Sequence, residues 1–208
     1  MKPITRQVQL FERTDKIVKV YLALILKRFR KVQRTLSFDD VHILNAVNEE
    51  WKQIDKLMRD CLFEVVLYYY RYIREEADDM EVQLWFAKLI DQPDPVTHYI
   101  FFPESDRKRA RLIEGIYSVV TLQEKKKELD KAERYIAKQL TQTADDYTIW
   151  SLIEAMRVAG FKNGEWVTQK DEKVCEECGP RDGKIYPLDE LLKLMPAHYG
   201  CRCYVIPV

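Results

Sequence analysis

The chain has 208 residues, 47% hydrophobic and 33% charged, with 34 Lys/Arg balanced by 34 Asp/Glu. That mixture excludes a disordered chain, and six glycines over the whole length argue against an all-β design. No run reaches the roughly twenty apolar residues that span a bilayer, since the densest, Val18 to Leu26, is broken by Lys19. The amino terminus lacks the charged, apolar, small-residue order of a secretory leader, so a cytoplasmic product is expected.

The neutral total hides a segregation of charge. Residues 1–36 hold ten Lys/Arg against Glu12 and Asp15, whereas residues 37–100 hold six against fourteen Asp/Glu. From Ile4 to Leu36 the pattern is helical, with Val18, Leu22, Ile25, Phe29, Val32 and Leu36 stepping by fours and threes along one face. The other faces are basic, and Arg13, Lys27, Arg28, Arg30, Lys31 and Arg34 form a candidate contact surface for DNA phosphates or an acidic protein. With no aromatic interleaving or base-reading motif, any DNA contact would be to the backbone and sensitive to salt.

Ser37, with Asp40 three residues on, reads as the N-cap of a second helix. Its seam runs Leu44, Val47, Trp51, Ile54, Met58, Cys61, Val65, Tyr68 and Tyr72, which predicts an antiparallel hairpin in which acidic residues offset basic ones. Cys61 falls on this seam as a packed thiol. The aromatic cluster Tyr68-Tyr69-Tyr70-Arg71-Tyr72 points to more than one face, one row for packing and the rest for an exposed docking patch.

Glu75 to Asp79 loosens the helix, Glu81 to Ile90 reads as a short one, and Pro93 and Pro95 make the clearest break in the chain. Val96 to Phe102 is a β-type run, and the isolated His42 and His98 receive no role. Pro103 to Ser105 opens a long helical region that includes a solvated run from Glu124 to Glu128. Thr143-Ala144-Asp145-Asp146 reads as the cap of a further helix, and Gly160 as its stop. Beyond it, Asn163-Gly164 and Asp182-Gly183 are hairpin-turn signals, Pro187 opens a short helix from Leu188 to Met195, and Cys203 to Ile206 closes a strand.

Four of the five cysteines lie in this last part, as Cys175-x-x-Cys178 and His198-x-x-Cys201-x-Cys203. A Cys-x-x-Cys knuckle puts two sulfurs on one side of a tight loop, and the second cluster can complete a tetrahedral Zn2+ site. Cys175, Cys178 and Cys201 are the primary ligands, and His198 is preferred to Cys203 for the fourth place. An extended Cys201-Arg202-Cys203 would nevertheless bring both sulfurs to one face, leaving Cys203 in contention and Arg202 free to project towards phosphate or a carboxylate. Two disulfides and a set of buried free thiols are the bland alternatives. A module of about fifty residues with so few core side chains needs such a staple. So many thiolates favour a structural metal over a catalytic one. No Gly-rich phosphate loop, nucleophile elbow or paired carboxylates with a base appear, so the chain is read as non-enzymatic.

The joint occurrence of Trp166-Val167-Thr168, Asp171-Glu172-Lys173-Val174-Cys175-x-x-Cys178, Asp182-Gly183-Lys184 and Pro196-x-His198-x-x-Cys201-Arg202-Cys203 resembles the phage Mu protein F-like head morphogenesis family. The resemblance covers about residues 140 to 207. It implies a minor capsid protein of the virion, made in the host cytoplasm and placed at the portal vertex or capsid interior. Portal or major capsid protein would be its partner, with roles in head assembly and in DNA packaging or ejection, and no membrane or small-molecule substrate. A zinc-dependent nucleic-acid-binding regulator is the alternative, and a metal-assisted hydrolase comes third. The expected architecture is mainly α: a helical hairpin over residues 1–92, an extended segment plus helices over 93–159, and a zinc-stapled α+β domain over 160–208.

Overall fold

In the computed structural model, which describes residues 10–90, 101–168 and 176–208, five long helices precede a small sheet. They are α1 (Leu10–Thr35), α2 (Asp40–Ile73), α3 (Asp79–Ile90), α4 (Phe101–Tyr117) and α5 (Leu122–Val158). After them come β1 (Asn163–Val167), β2 (Ile185–Pro187), α6 (Leu188–Leu194) and β3 (Tyr204–Pro207). The expected mainly-α chain with a small carboxy-terminal α+β unit is therefore what forms. The start of the first helix at Ile4, the Pro93/Pro95 break, His98, positions 96–100 of the expected strand, and the stretch Asp171 to Cys175 lie outside the described residues. Phe101 and Phe102, the last two residues of that strand, belong to α4 instead.

α1 and α2 pack antiparallel. Near the turn Phe29 meets Trp51 edge-on at 6.0 Å, and at the far end the Thr14 hydroxyl donates to Tyr69 at 3.0 Å. α5 lies against both helices. Its Thr148 hydroxyl sits 2.7 Å from that of Thr14, so one buried polar node pins three helices. Val18, Ile25, Phe29, Val32 and Leu36 are buried as read, with Leu22 half-buried.

The α2 seam is right from Val47 to Val65 and wrong at its ends. Ile43, Tyr69 and Ile73 are the buried residues there rather than Leu44, Tyr68 and Tyr72. A strict seven-residue repeat drifts on a straight helix, and α2 is covered by α5 as well as α1, so Leu62, Val66 and Tyr70 are buried too. Cys61 is fully buried, and burial pushes its thiol up to about 12, the state of a packing residue.

Local signals corrected by the structure concern the caps. The α2 cap is Asp39, not Ser37: its carboxylate accepts the His42 backbone N–H at 3.0 Å and meets His42 Nδ1 at 2.7 Å. These bonds hold the Asp39 carboxyl below its usual range. Thr143-Ala144-Asp145-Asp146 is no helix start, because α5 runs unbroken through it. Every residue from Thr143 to Met156 is buried, and both aspartates that imitate a cap have partners: Gln142 donates to Asp146 at 2.8 Å, and Arg202 donates to Asp145 at 3.1 Å. The real break falls at Ser118 to Thr121. There Thr121 and Glu124 form a reciprocal capping box, so Glu124 is a cap partner within a run read as merely solvated. Thr121→Ala should cost about 1 kcal/mol, measured as a lower urea midpoint with unchanged m-value.

Gly160 ends α5 at φ 93°, as expected of a left-handed C′ residue. The sheet has the order β2-β1-β3, both pairings antiparallel. Asn163-Gly164 is the start of β1 rather than a hairpin turn, Gly164 pairing with Tyr186 on one side and Pro207 on the other. Glycine is needed there for space, because a Cβ would lie 2.2 Å from Val205 Cγ1 and 3.0 Å from Leu188 Cδ2. Gly164→Ala should therefore destabilise by about 1–3 kcal/mol through overpacking, read as a lower melting temperature. Asp182-Gly183 does form a turn, with Gly183 at φ 76° leading into β2.

Candidate metal centre

Two turns build the site. In the first, Cys178 precedes a single 3-10 turn, Gly179–Arg181, and its carbonyl accepts the Arg181 N–H at 3.0 Å. β1 holds this loop in place: the Gly183 N–H donates to the Trp166 carbonyl at 2.8 Å, the Trp166 N–H donates to the Lys184 carbonyl at 2.8 Å, and the Thr168 N–H donates to the Asp182 carboxylate at 2.9 Å. The guanidinium of Arg181 covers the buried Trp166 ring at 5.1 Å. These contacts give the Trp-x-Thr and Asp-Gly-Lys motifs a role: they hold the loop that follows Cys178.

In the second turn the Cys201 N–H donates to the His198 carbonyl at 3.1 Å, with Gly200 in the left-handed region at φ 76°. α5 anchors this segment. The Trp150 indole donates to the Met195 carbonyl at 2.7 Å, and the Lys138 ammonium lies 5.0 Å from the Tyr199 ring centroid.

The turns bring the sulfurs of Cys178, Cys201 and Cys203 within 4.8 Å of one another, all three buried and none in a disulfide. Cys178 Sγ is 3.9 Å from Cys201 Sγ and 3.2 Å from His198 Nε2. Ligand bonds of about 2.3 Å to a tetrahedral ion put two thiolates about 3.8 Å apart, so this donor set fits a metal. Thiolate is the form that ligates. The bond between Cys203 and Cys201 draws the Cys201 thiol down to about 5, while the same bond and burial push Cys203 up. His198 Nδ1 faces the Tyr199 carbonyl at 3.1 Å, which orients Nε2 towards the sulfurs. Both contenders for the fourth place are thus at hand, and Cys175 lies outside the described residues.

Arg202 turns the opposite way from the sulfurs beside it. Its guanidinium donates to Asp145 of α5 at 3.1 and 3.3 Å and to Asp15 of α1 at 2.6 Å, and lies 4.9 Å from the Phe11 ring centroid. Burial pushes the Asp145 carboxyl up to about 6 against the opposing pull of Arg202. Sequence reasoning missed Asp15, Asp145 and Phe11. The available signal was the acidic pair Asp145-Asp146 directly ahead of the largely apolar run Tyr147 to Ile153, since a buried carboxylate requires a cation.

The other basic candidates are scattered. Arg28 and Lys31 share Glu50 of α2 at 3.4 and 3.2 Å, whereas Lys27, Arg30 and Arg34 are exposed. Arg13 lies 5.2 Å from the centroid of the Tyr68 ring, at an open groove of about 580 Å³ lined also by Leu67, Arg71 and Tyr72. Of the tyrosine cluster, Tyr69 and Tyr70 pack inside, and Tyr68 is 39% exposed.

Together these elements define a class: a helical protein carrying a small α+β module with a thiol-lined, metal-competent centre. Residues 109–206 match the family model described as Phage Mu protein F like protein, so that stretch of the chain is similar to the Phage Mu protein F like family. No curated protein and no solved structure matches the chain. Among the described residues no helix is long and apolar enough to cross a membrane.

Proposed function

We propose that this protein is a non-enzymatic minor head morphogenesis component of a phage, acting at the portal or capsid interior in assembly and in DNA packaging or ejection. Within it a structural Zn2+ holds the carboxy-terminal module. The observation that carries this reading is the convergence of Cys178, Cys201 and Cys203 inside the stretch that matches the family. Soft thiolate donors select zinc over hard cations. Cys178, Cys201, Cys175 and either His198 or Cys203 would hold it. Bound there, the ion supplies cross-linking of two turns, and protein donors close its sphere in the manner of a structural site. Capsid-related partners follow from the family, with portal or major capsid protein as the specific expectation.

The nucleic-acid-binding regulator is less well supported, because Glu50 engages Arg28 and Lys31, and Arg202 is held by Asp145 and Asp15. Quantitative mass spectrometry of purified heads and virions tests the main reading. The protein should be present in few copies per particle and protected from external protease until the head is opened. Its absence from heads, or ready digestion in intact ones, would overturn that placement.

A further inference from the structure

Arg202 is flanked on both sides by candidate ligands, yet it serves a different part of the molecule. The sulfurs of Cys201 and Cys203 meet Cys178, whereas the guanidinium between them reaches α5 and α1. We propose that Arg202 is a latch through which metal held by the thiol centre secures the amino-terminal turns of α1 against the body of the protein. The proposal rests on the metal reading above and deepens it.

Each link in this chain is short. A bound ion would fix the main chain at Cys201 and Cys203 from both sides, and so fix the point from which Arg202 extends. Asp145, 7% exposed in its side chain, gives the guanidinium a nearly dry bidentate partner on α5. From that fixed position Arg202 reaches Asp15 at 2.6 Å and covers Phe11, which is 2% exposed. An exposed ion pair such as Arg202 with Asp15 has little value alone, but here its geometry is already set by the Asp145 bonds and the ring contact. If the turn carrying Cys201 and Cys203 loosens, Arg202 withdraws and Phe11 loses its cover. Linkage requires the reverse as well, so seating α1 tightens metal binding.

Hydrogen exchange of the whole chain tests this, comparing protein loaded with zinc and stripped by chelator under reducing conditions, after metal content has been measured. Amides of residues 11–19 should exchange about tenfold faster when stripped, while those of residues 47–58 in the centre of α2 hold their rates. In Arg202→Met, zinc should remain bound, and exchange at 11–19 should be fast with or without it. Asp15→Asn should behave likewise and carries the comparison if Arg202→Met does not fold. Bound zinc whose removal leaves residues 11–19 unchanged would overturn the latch, as would a metal response that survives both substitutions or one shared equally by residues 47–58. A chain that binds no zinc would show itself at the first measurement, removing the metal reading and the latch with it.

Discussion

Cys201→Ser should cost the protein its zinc and most of the stability of its carboxy-terminal module. Cys201 is 1% exposed and 3.9 Å from Cys178, and its bond with Cys203 draws its thiol down to about 5. Losing it removes a ligand and leaves a hydroxyl in a buried cluster. A structural site of this type binds with about 10–16 kcal/mol at neutral pH, and even an ion at a thousand times its Kd contributes about 4 kcal/mol to folding. The expected result is one equivalent of zinc in the wild-type protein and none in the variant, with a lower melting temperature that added zinc does not restore. His198→Ala and Cys203→Ser, measured the same way, decide the fourth ligand, since the true one should lose metal and the other retain it. Binding should also weaken as pH falls, because the ligating thiols must be deprotonated. Full retention of the metal by Cys201→Ser would undo the site.

What was legible in the sequence divides along the range of each interaction. Cys178, His198, Cys201 and Cys203 could be gathered because knuckle spacing limits where two sulfurs can go, and α1 and α2 because a helical period writes a buried face into the chain. The failures share another cause. Asp145, read as a cap, is a tertiary ligand of Arg202, lying 57 residues away in sequence, and Asp15 is 187 away. Asn163-Gly164 has turn chemistry, but the smallness of Gly164 serves close packing against Val205. In each case a local preference gave way to a partner whose position only the folded chain fixes. Ser37 failed more narrowly: two aspartates follow it, and Asp39 is the one that reaches the third amide beyond it.

Trp51→Ala should produce the largest loss from the helical part, about 3–5 kcal/mol. Trp51 is among the largest fully buried side chains, at 1% exposure, in the middle of the seam that joins α2 to α1. Its ring provides the edge-on partner of Phe29, also 1% exposed, and such an aromatic pair adds about 0.5–1.5 kcal/mol beyond area burial. Neighbouring Val47, Ile54 and Phe29 sit on helices whose spacing is set along their whole length, so the space cannot close fully and the cavity cost remains. A urea titration should show the midpoint falling while the m-value holds, and Trp51→Phe should recover part of the loss. The two largest effects should be separable on the same protein: Trp51→Ala lowers stability while its folded fraction keeps zinc, and Cys201→Ser loses zinc while its far-ultraviolet helical signal stays close to that of the wild type. Collapse of metal binding in folded Trp51→Ala would mean that the thiol turns depend on the hairpin for their shape, and not on the anchors that Trp150 and Lys138 of α5 provide.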